Sequence, residues 1–162
     1  MRDFLLSALI IGTGATAATD VWASARQRLF GIPAPNWGLV GRWLAWIPRG
    51  RLRHESIAAT PSVRNERLIG WTAHYFIGVI FAAVLLGAFG IAWAQAPTII
   101  PALLVGIGTL AAPFLLMQPG MGAGIAASRT PRPAAARVQS LITHTVFGVG
   151  LYAAGWIAKL LF

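Results

Sequence analysis

Residues 68–94 read LIGWTAHYFIGVIFAAVLLGAFGIAWA, a run without a single Asp, Glu, Lys or Arg. At ~1.5 Å of rise per residue, a helix of this length exceeds the roughly 30 Å thickness of a bilayer's hydrocarbon layer. The stretch therefore reads as a membrane-spanning helix. Working outward, three further apolar runs are long enough to do the same: about Phe4 to Ala23, Ile99 to about Gly122, and Val138 to Phe162. Four crossings nearly exhaust the chain, so residues 1–162 are expected to form a single all-α, four-span membrane domain.

Composition agrees with that solvent. Hydrophobic residues make up 57% of the chain and charged residues only 10%, and the mean hydropathy is +0.69, above what a soluble domain of this length carries. The absence of Cys excludes disulfides, thiolate metal sites, covalent haem attachment and thiol redox chemistry. The first run could also be a cleaved signal sequence, with Ala15-Thr16-Ala17 as its processing site. An internal similarity, described below, favours an uncleaved first helix.

The formal charge of +9 comes from twelve Arg and Lys159 against Asp3, Asp20, Glu55 and Glu66. These charges lie between hydrophobic spans, which points to anionic headgroups or an anionic ligand as partners and not to nucleic acid. The first connection carries Arg26, Arg28, Arg42, Arg49, Arg51, Arg53, Arg64 and Arg67, and the third carries Arg129, Arg132 and Arg137. The turn near Gln95 to Thr98 is uncharged. Arg-rich loops stay cytoplasmic, so both termini are expected on the periplasmic side.

Within the first connection, Asn36 to Ile47 holds Trp37, Trp43 and Trp46 with one charge, Arg42, and Pro48 ends it. A short interfacial helix fits this pattern, because indole rings favour the headgroup region. From Arg49 to Arg67 the chain turns polar and is expected to run over the cytoplasmic face.

A weak internal repeat is visible. Ile11-Gly12-Thr13-Gly14 aligns with Val105-Gly106-Ile107-Gly108, and Arg67, His74, Gly78 and Val79 align with Arg137, His144, Gly148 and Val149 at identical spacing. Each half would be a helical hairpin, giving two tandem hairpins. The glycines within spans allow close helix packing, and Pro113 is expected to bend the third span.

An ionisable residue inside a span costs about 2.5 to 3.5 kcal/mol at the centre and calls for compensation. Asp20, His74 and His144 each lie about 10 Å inside the Arg rim by helical rise, and Gln118 reaches a similar level. One reading is a cytoplasm-facing polar cavity lined by Asp20, His74, Gln118 and His144, with Arg67, Arg129 and Arg137 attracting an anion. The competing reading is that these groups hydrogen-bond one another between helices.

His74, His144, Asp20 and His54 also supply nitrogen and oxygen donors suited to zinc or iron, and two His at one depth suit axial ligation of haem b. No His-x3-His pair is present, so spacing does not select a metal. Gly120 to Gly124 follows Gln118-Pro119, where freed backbone amides could meet an anion together with Arg129. His54-Glu55-Ser56 is not a triad, because adjacent loop residues do not make one.

The residues Leu39 to Trp43, Pro48-Arg49-Gly50 and, most distinctively, Met117 to Pro131 resemble a bacterial family of short inner-membrane proteins, domain of unknown function 2938. The resemblance implies a location in the bacterial cytoplasmic membrane and four spans, and it implies no activity. The function expected from the residues is binding or transport of a small polar or anionic ligand or lipid headgroup. Transport would add a homo-oligomer. The alternatives are a metal-dependent membrane-embedded enzyme acting on a lipid or amphipathic substrate, and an accessory subunit of a membrane complex.

Overall fold

The computed structural model describes residues 2–161, and among these no residue is in a strand. The helices are α1 (Arg2–Phe30), α2 (Trp37–Trp46), α3 (Glu66–Phe89), α4 (Ala92–Gln95), α5 (Ile99–Gly108), α6 (Gln118–Met121) and α7 (Pro133–Leu161). Four stretches are long and apolar enough to cross a membrane: Asp3–Phe30, Glu66–Phe89, Ile99–Met121 and Pro133–Leu161. The fold is thus all-helical with four spans, as the hydrophobic runs predict.

The helices differ from the expected runs at several places, three of them for a clear local reason. Helix α1 continues past Ala23 to Phe30, because Ala, Arg and Gln sustain a helix that has already left the apolar window. Helix α3 stops at Phe89, five residues short of the run's end at Ala94, since Gly90 adopts φ +82° and ends the helix in a left-handed turn. In the third span, Pro113 opens a π-helical turn, Pro113–Met117. The widened turn accommodates the proline's missing donor, and the Phe114 amide bonds Leu110 O at 3.0 Å.

The contacts fall into two compact units, one of Met1–Ala34, Tyr75–Thr109 and Leu141–Phe162, the other of Pro35–His74 and Leu110–Ser140. The core of the first unit is built from small side chains with a few large ones between them: Ala8, Ile11, Ala15, Ala82, Leu85, Leu86, Ala102, Phe147, Leu151 and Ala154. A Cβ on Gly12 would lie 2.7 Å from Gly78 O, and one on Gly106 would lie 2.6 Å from Gly148 N. Gly12 and Gly106, aligned in the sequence, thus each meet the backbone of the following span close to a second glycine, Gly78 and Gly148. Close approach replaces the hydrophobic drive that lipid cannot supply.

Large apolar side chains stay on the outside of the spans, among them Leu5, Phe76, Val84, Leu104, Leu115 and Leu160. Acyl chains are the solvent that suits such a surface.

In the second unit, Asn36 caps α2 by accepting from the Gly38 amide at 3.0 Å. The first turns of α2 and α3 meet backbone to backbone, where a Cβ on Gly41 would lie 2.6 Å from Gly70 N. The expected short helix after Pro35 is therefore present. Its indoles also tie down the following loop: Trp43 Nε1 donates to Leu52 O at 3.0 Å and Trp46 Nε1 to Pro61 O at 3.3 Å.

Candidate functional site

Arg42 organises the polar stretch that sequence reading treats as a surface loop. Its guanidinium donates to both Glu66 oxygens at 2.8 Å, and its third nitrogen reaches the carbonyls of Ile57, Ala58 and Thr60 at 3.2, 3.2 and 2.8 Å. This bidentate geometry is one that Lys cannot supply. Hydrogen bonding to Glu66 raises the Arg42 pKa, outweighing the desolvation that lowers it, and the Glu66 charge adds to the rise. Arg42 is thus a structural residue that fixes where residues 57–60 lie.

Held in this way, the loop pairs with the end of the third span. The His54 amide donates to Gly120 O at 2.9 Å, and the Ile57 amide to Met121 O at 3.1 Å. Gly120 leaves room for the Trp43 ring, whose Nε1 a Cβ would approach to 2.5 Å. Gly122, at φ +95°, passes so close to the 54–55 backbone that a Cβ there would lie 2.8 Å from His54 O. Beyond it, Ala126 and Ala127 both adopt left-handed conformations, φ 47° and φ 60°, at a cost of about 1 to 2 kcal/mol each. Arg137 Nε steadies this turn by donating to Ala126 O at 2.8 Å, and the Arg129 amide closes it on Ala123 O at 2.8 Å.

Between loop and turn lies an open cleft of about 440 Å³, lined by Arg53, His54, Glu55, Pro119, Gly124, Ile125, Ser128 and Arg129. Two Arg, a His and a Ser against a single acid, Glu55, give the lining an excess of positive charge that suits an anion. His54 is only 6% exposed. Its Nδ1 lies 3.0 Å from Thr60 Oγ1, and that hydroxyl donates to Ser56 O at 3.0 Å. A hydroxyl has one proton, so Thr60, donating to Ser56, accepts from His54 Nδ1. Nε2 is buried and has no partner in the protein, a deficit worth about 1 to 3 kcal/mol. Gln118 Oε1, next in the chain to Pro119, is also buried without a partner.

The other polar residues singled out in the sequence are engaged within their own units. Asp20 Oδ2 accepts from the Tyr75 hydroxyl at 2.8 Å, linking α1 to α3. His144 Nδ1 lies 2.8 Å from Thr109 Oγ1 and 3.2 Å from Gly106 O, linking α5 to α7. In the second unit, His74 stacks on Trp37 with centroids 3.7 Å apart and planes 22° from parallel. Arg67, Arg129 and Arg137 are exposed. Of the predicted ligand residues, Arg129 lines the cleft, and it does so together with His54, expected above as a metal donor. Among the described residues, no group of three or more His, Asp or Glu side chains is placed to hold a metal ion.

A family model described as a protein of unknown function, DUF2938, matches residues 9–158. The chain belongs to the DUF2938 family. No curated protein and no solved structure matches it. The matched region takes in every residue of the cleft, from Arg53 to Arg129. Arg53, Glu55 and Ser128 escaped sequence reading as site residues. An Arg and a Glu flanking a His was the available signal, but nothing in the spacing brings 53–55 to 124–129.

Proposed function

We propose that the chain is a multi-pass protein of the bacterial cytoplasmic membrane that binds a small anionic ligand or an anionic lipid headgroup in the cleft between Arg53 and Arg129. The observation that carries this reading is that Arg53, Arg129 and the buried His54 line one concavity. Charge distribution supports it. The second unit holds nine of the twelve Arg and two of the four acidic residues, hence +7 of the formal +9, and one of those acids, Glu66, is already paired with Arg42. A field of this sign concentrates anions at the surface.

The same asymmetry orients the chain in this reading, with the Arg-rich connections in the cytoplasm and both termini in the periplasm. Binding fits better than transport, because loop, short helix and turn form the cleft, whereas a transport path would run between facing spans. Native mass spectrometry of protein released from anionic membranes tests the function. Retained anionic adducts on the wild type, lost from Arg53→Ala/Arg129→Ala, are expected; equal retention by both would refute it. The absence of Cys makes single introduced cysteines clean reporters of orientation.

A further inference from the structure

The cleft carries apolar surface that an anion alone does not need. Outside the spans, the exposed large apolar side chains of the second unit are Leu52 and Ile125, 60% and 62% exposed. Leu52 precedes Arg53 in the chain, and Ile125 lines the cleft itself. Two residues beyond Ile125, Ala127 is buried, and the chain reaches this arrangement with Ala126 and Ala127 both at positive φ. In water the opposite choice would be favoured, because burying isoleucine gains more than burying alanine. Three hydrogen bonds nevertheless fix the turn: Ser128 N to Ile125 O at 3.0 Å, Thr130 N to Ala127 O at 3.0 Å, and Arg137 Nε to Ala126 O at 2.8 Å. A strained backbone that holds an isoleucine outward beside a cleft calls for an apolar neighbour there.

The level of the cleft says which neighbour is at hand. Pro119, also in its lining, belongs to the third span, Ile99–Met121. Ile125 comes four residues after Met121, so at most about 14 Å of chain separates it from the end of the span. A cavity with a span residue in its wall opens at the edge of the hydrocarbon, where headgroups meet acyl chains.

We infer that the occupant of the cleft is an anionic membrane lipid, its headgroup held by Arg53 and Arg129 and the start of an acyl chain resting on Ile125. The inference rests on the anion-binding reading above and commits it to a lipid over a free anion. Charge complementarity favours an anionic headgroup over a zwitterionic one, since the lining sets two Arg against Glu55. Arg49 and Arg51 are engaged elsewhere, over the Trp46 ring at 5.0 and 5.5 Å from its centroid. Ile125 is the residue that distinguishes an acylated ligand from the same headgroup without its chains.

The test titrates full-length protein in a neutral maltoside detergent with three soluble probes, and native mass spectrometry counts the bound species. Dihexanoylphosphatidylglycerol carries an anionic headgroup on short chains, glycerophosphoglycerol is that headgroup with both chains removed, and dihexanoylphosphatidylcholine puts the same chains on a zwitterionic headgroup. The first should bind about tenfold or more tightly than either of the others. Ile125→Ser should weaken it about three- to tenfold and leave glycerophosphoglycerol unchanged. Ile125→Leu, which keeps the apolar bulk, should behave as the wild type. Arg53→Ala/Arg129→Ala should weaken both anionic probes.

Phosphatidylglycerol binding that Ile125→Ser leaves unchanged, but that is lost in the double Arg variant, would overturn the lipid assignment and leave the anion site standing. Binding that the double Arg variant does not weaken, or no binding of either anionic probe, would overturn both. An unaltered unfolding temperature in Ile125→Ser keeps loss of fold from passing as loss of ligand.

Discussion

Replacing Arg42 by Ala should release the loop from Arg49 to Arg67 while the spans stay helical. The wild-type guanidinium makes two bonds to Glu66 and three to loop carbonyls, and the two side chains of the pair are 13% and 22% exposed. Removing one member of a largely buried pair costs about 3 to 5 kcal/mol. Partial exposure favours the lower figure, since water can reach the stranded carboxylate. At ~1.4 kcal/mol per decade, 3 kcal/mol raises the open population about a hundredfold. Tryptic cleavage at Arg51, Arg53 and Arg64 follows that population when reclosing outpaces cutting. Digestion of protein in detergent, read by mass spectrometry, should therefore accelerate about a hundredfold at these sites. Arg42→Lys, which keeps the charge and loses the fork, should fall between. Unchanged digestion in Arg42→Ala would show that the loop is held by something else.

Glycine substitutions should divide by the space around them. Gly106→Val, whose Cβ would meet Gly148 and the His144 carbonyl, should lower thermal stability by about 1 to 3 kcal/mol through overpacking. Gly87→Ala, with nothing within 4 Å of the new Cβ, should be neutral or stabilise by up to about 1 kcal/mol; differential scanning fluorimetry compares the two. Tyr75→Phe and Thr109→Val each remove one interhelical hydrogen bond, and each should cost about 0.6 kcal/mol by steric-trap unfolding in bicelles. Gly122→Ala should be worse than Gly124→Ser in the loop-protection assay, because its Cβ would strike the backbone of residues 54–55, whereas the nearest atom at Gly124 is the Ser128 hydroxyl.

The spans were legible because hydrocarbon imposes one requirement on every residue of a crossing segment, and a run such as 68–94 satisfies it without reference to anything else. The short helix after Asn36 was legible for a related reason: cap, apolar turns and Pro48 stop are all local signals. The helix end at Phe89 was readable in principle from Gly90. The loop was not readable. Arg42 and Glu66 are separated by 24 positions, and no periodicity predicts that an Arg among three Trp will gather the carbonyls of residues 57–60.

The candidate site divides in the same way. Arg129 and the Gly-rich turn were marked by composition and by the family resemblance. The depth argument that grouped Asp20 and His144 located residues that need partners, and Tyr75 and Thr109 supply those partners on neighbouring helices. Helical rise gives a residue's level, whereas the rotation of each helix and the side chains beside it decide what that residue meets. His54 was weighed only as a ligand or a mock triad, because its burial depends on Gly120, Thr60 and Trp46, none of which its sequence neighbours reveal.

The central claim is that Arg53, His54 and Arg129 enclose an anion. An experimental density map of the protein in lipid, collected with saturating phosphate, addresses it most directly. Tetrahedral density is expected in the cleft, within hydrogen-bonding reach of at least one of the two guanidinium groups. A well-resolved map in which the cleft holds only water, while phosphate sits elsewhere on the protein, would contradict it.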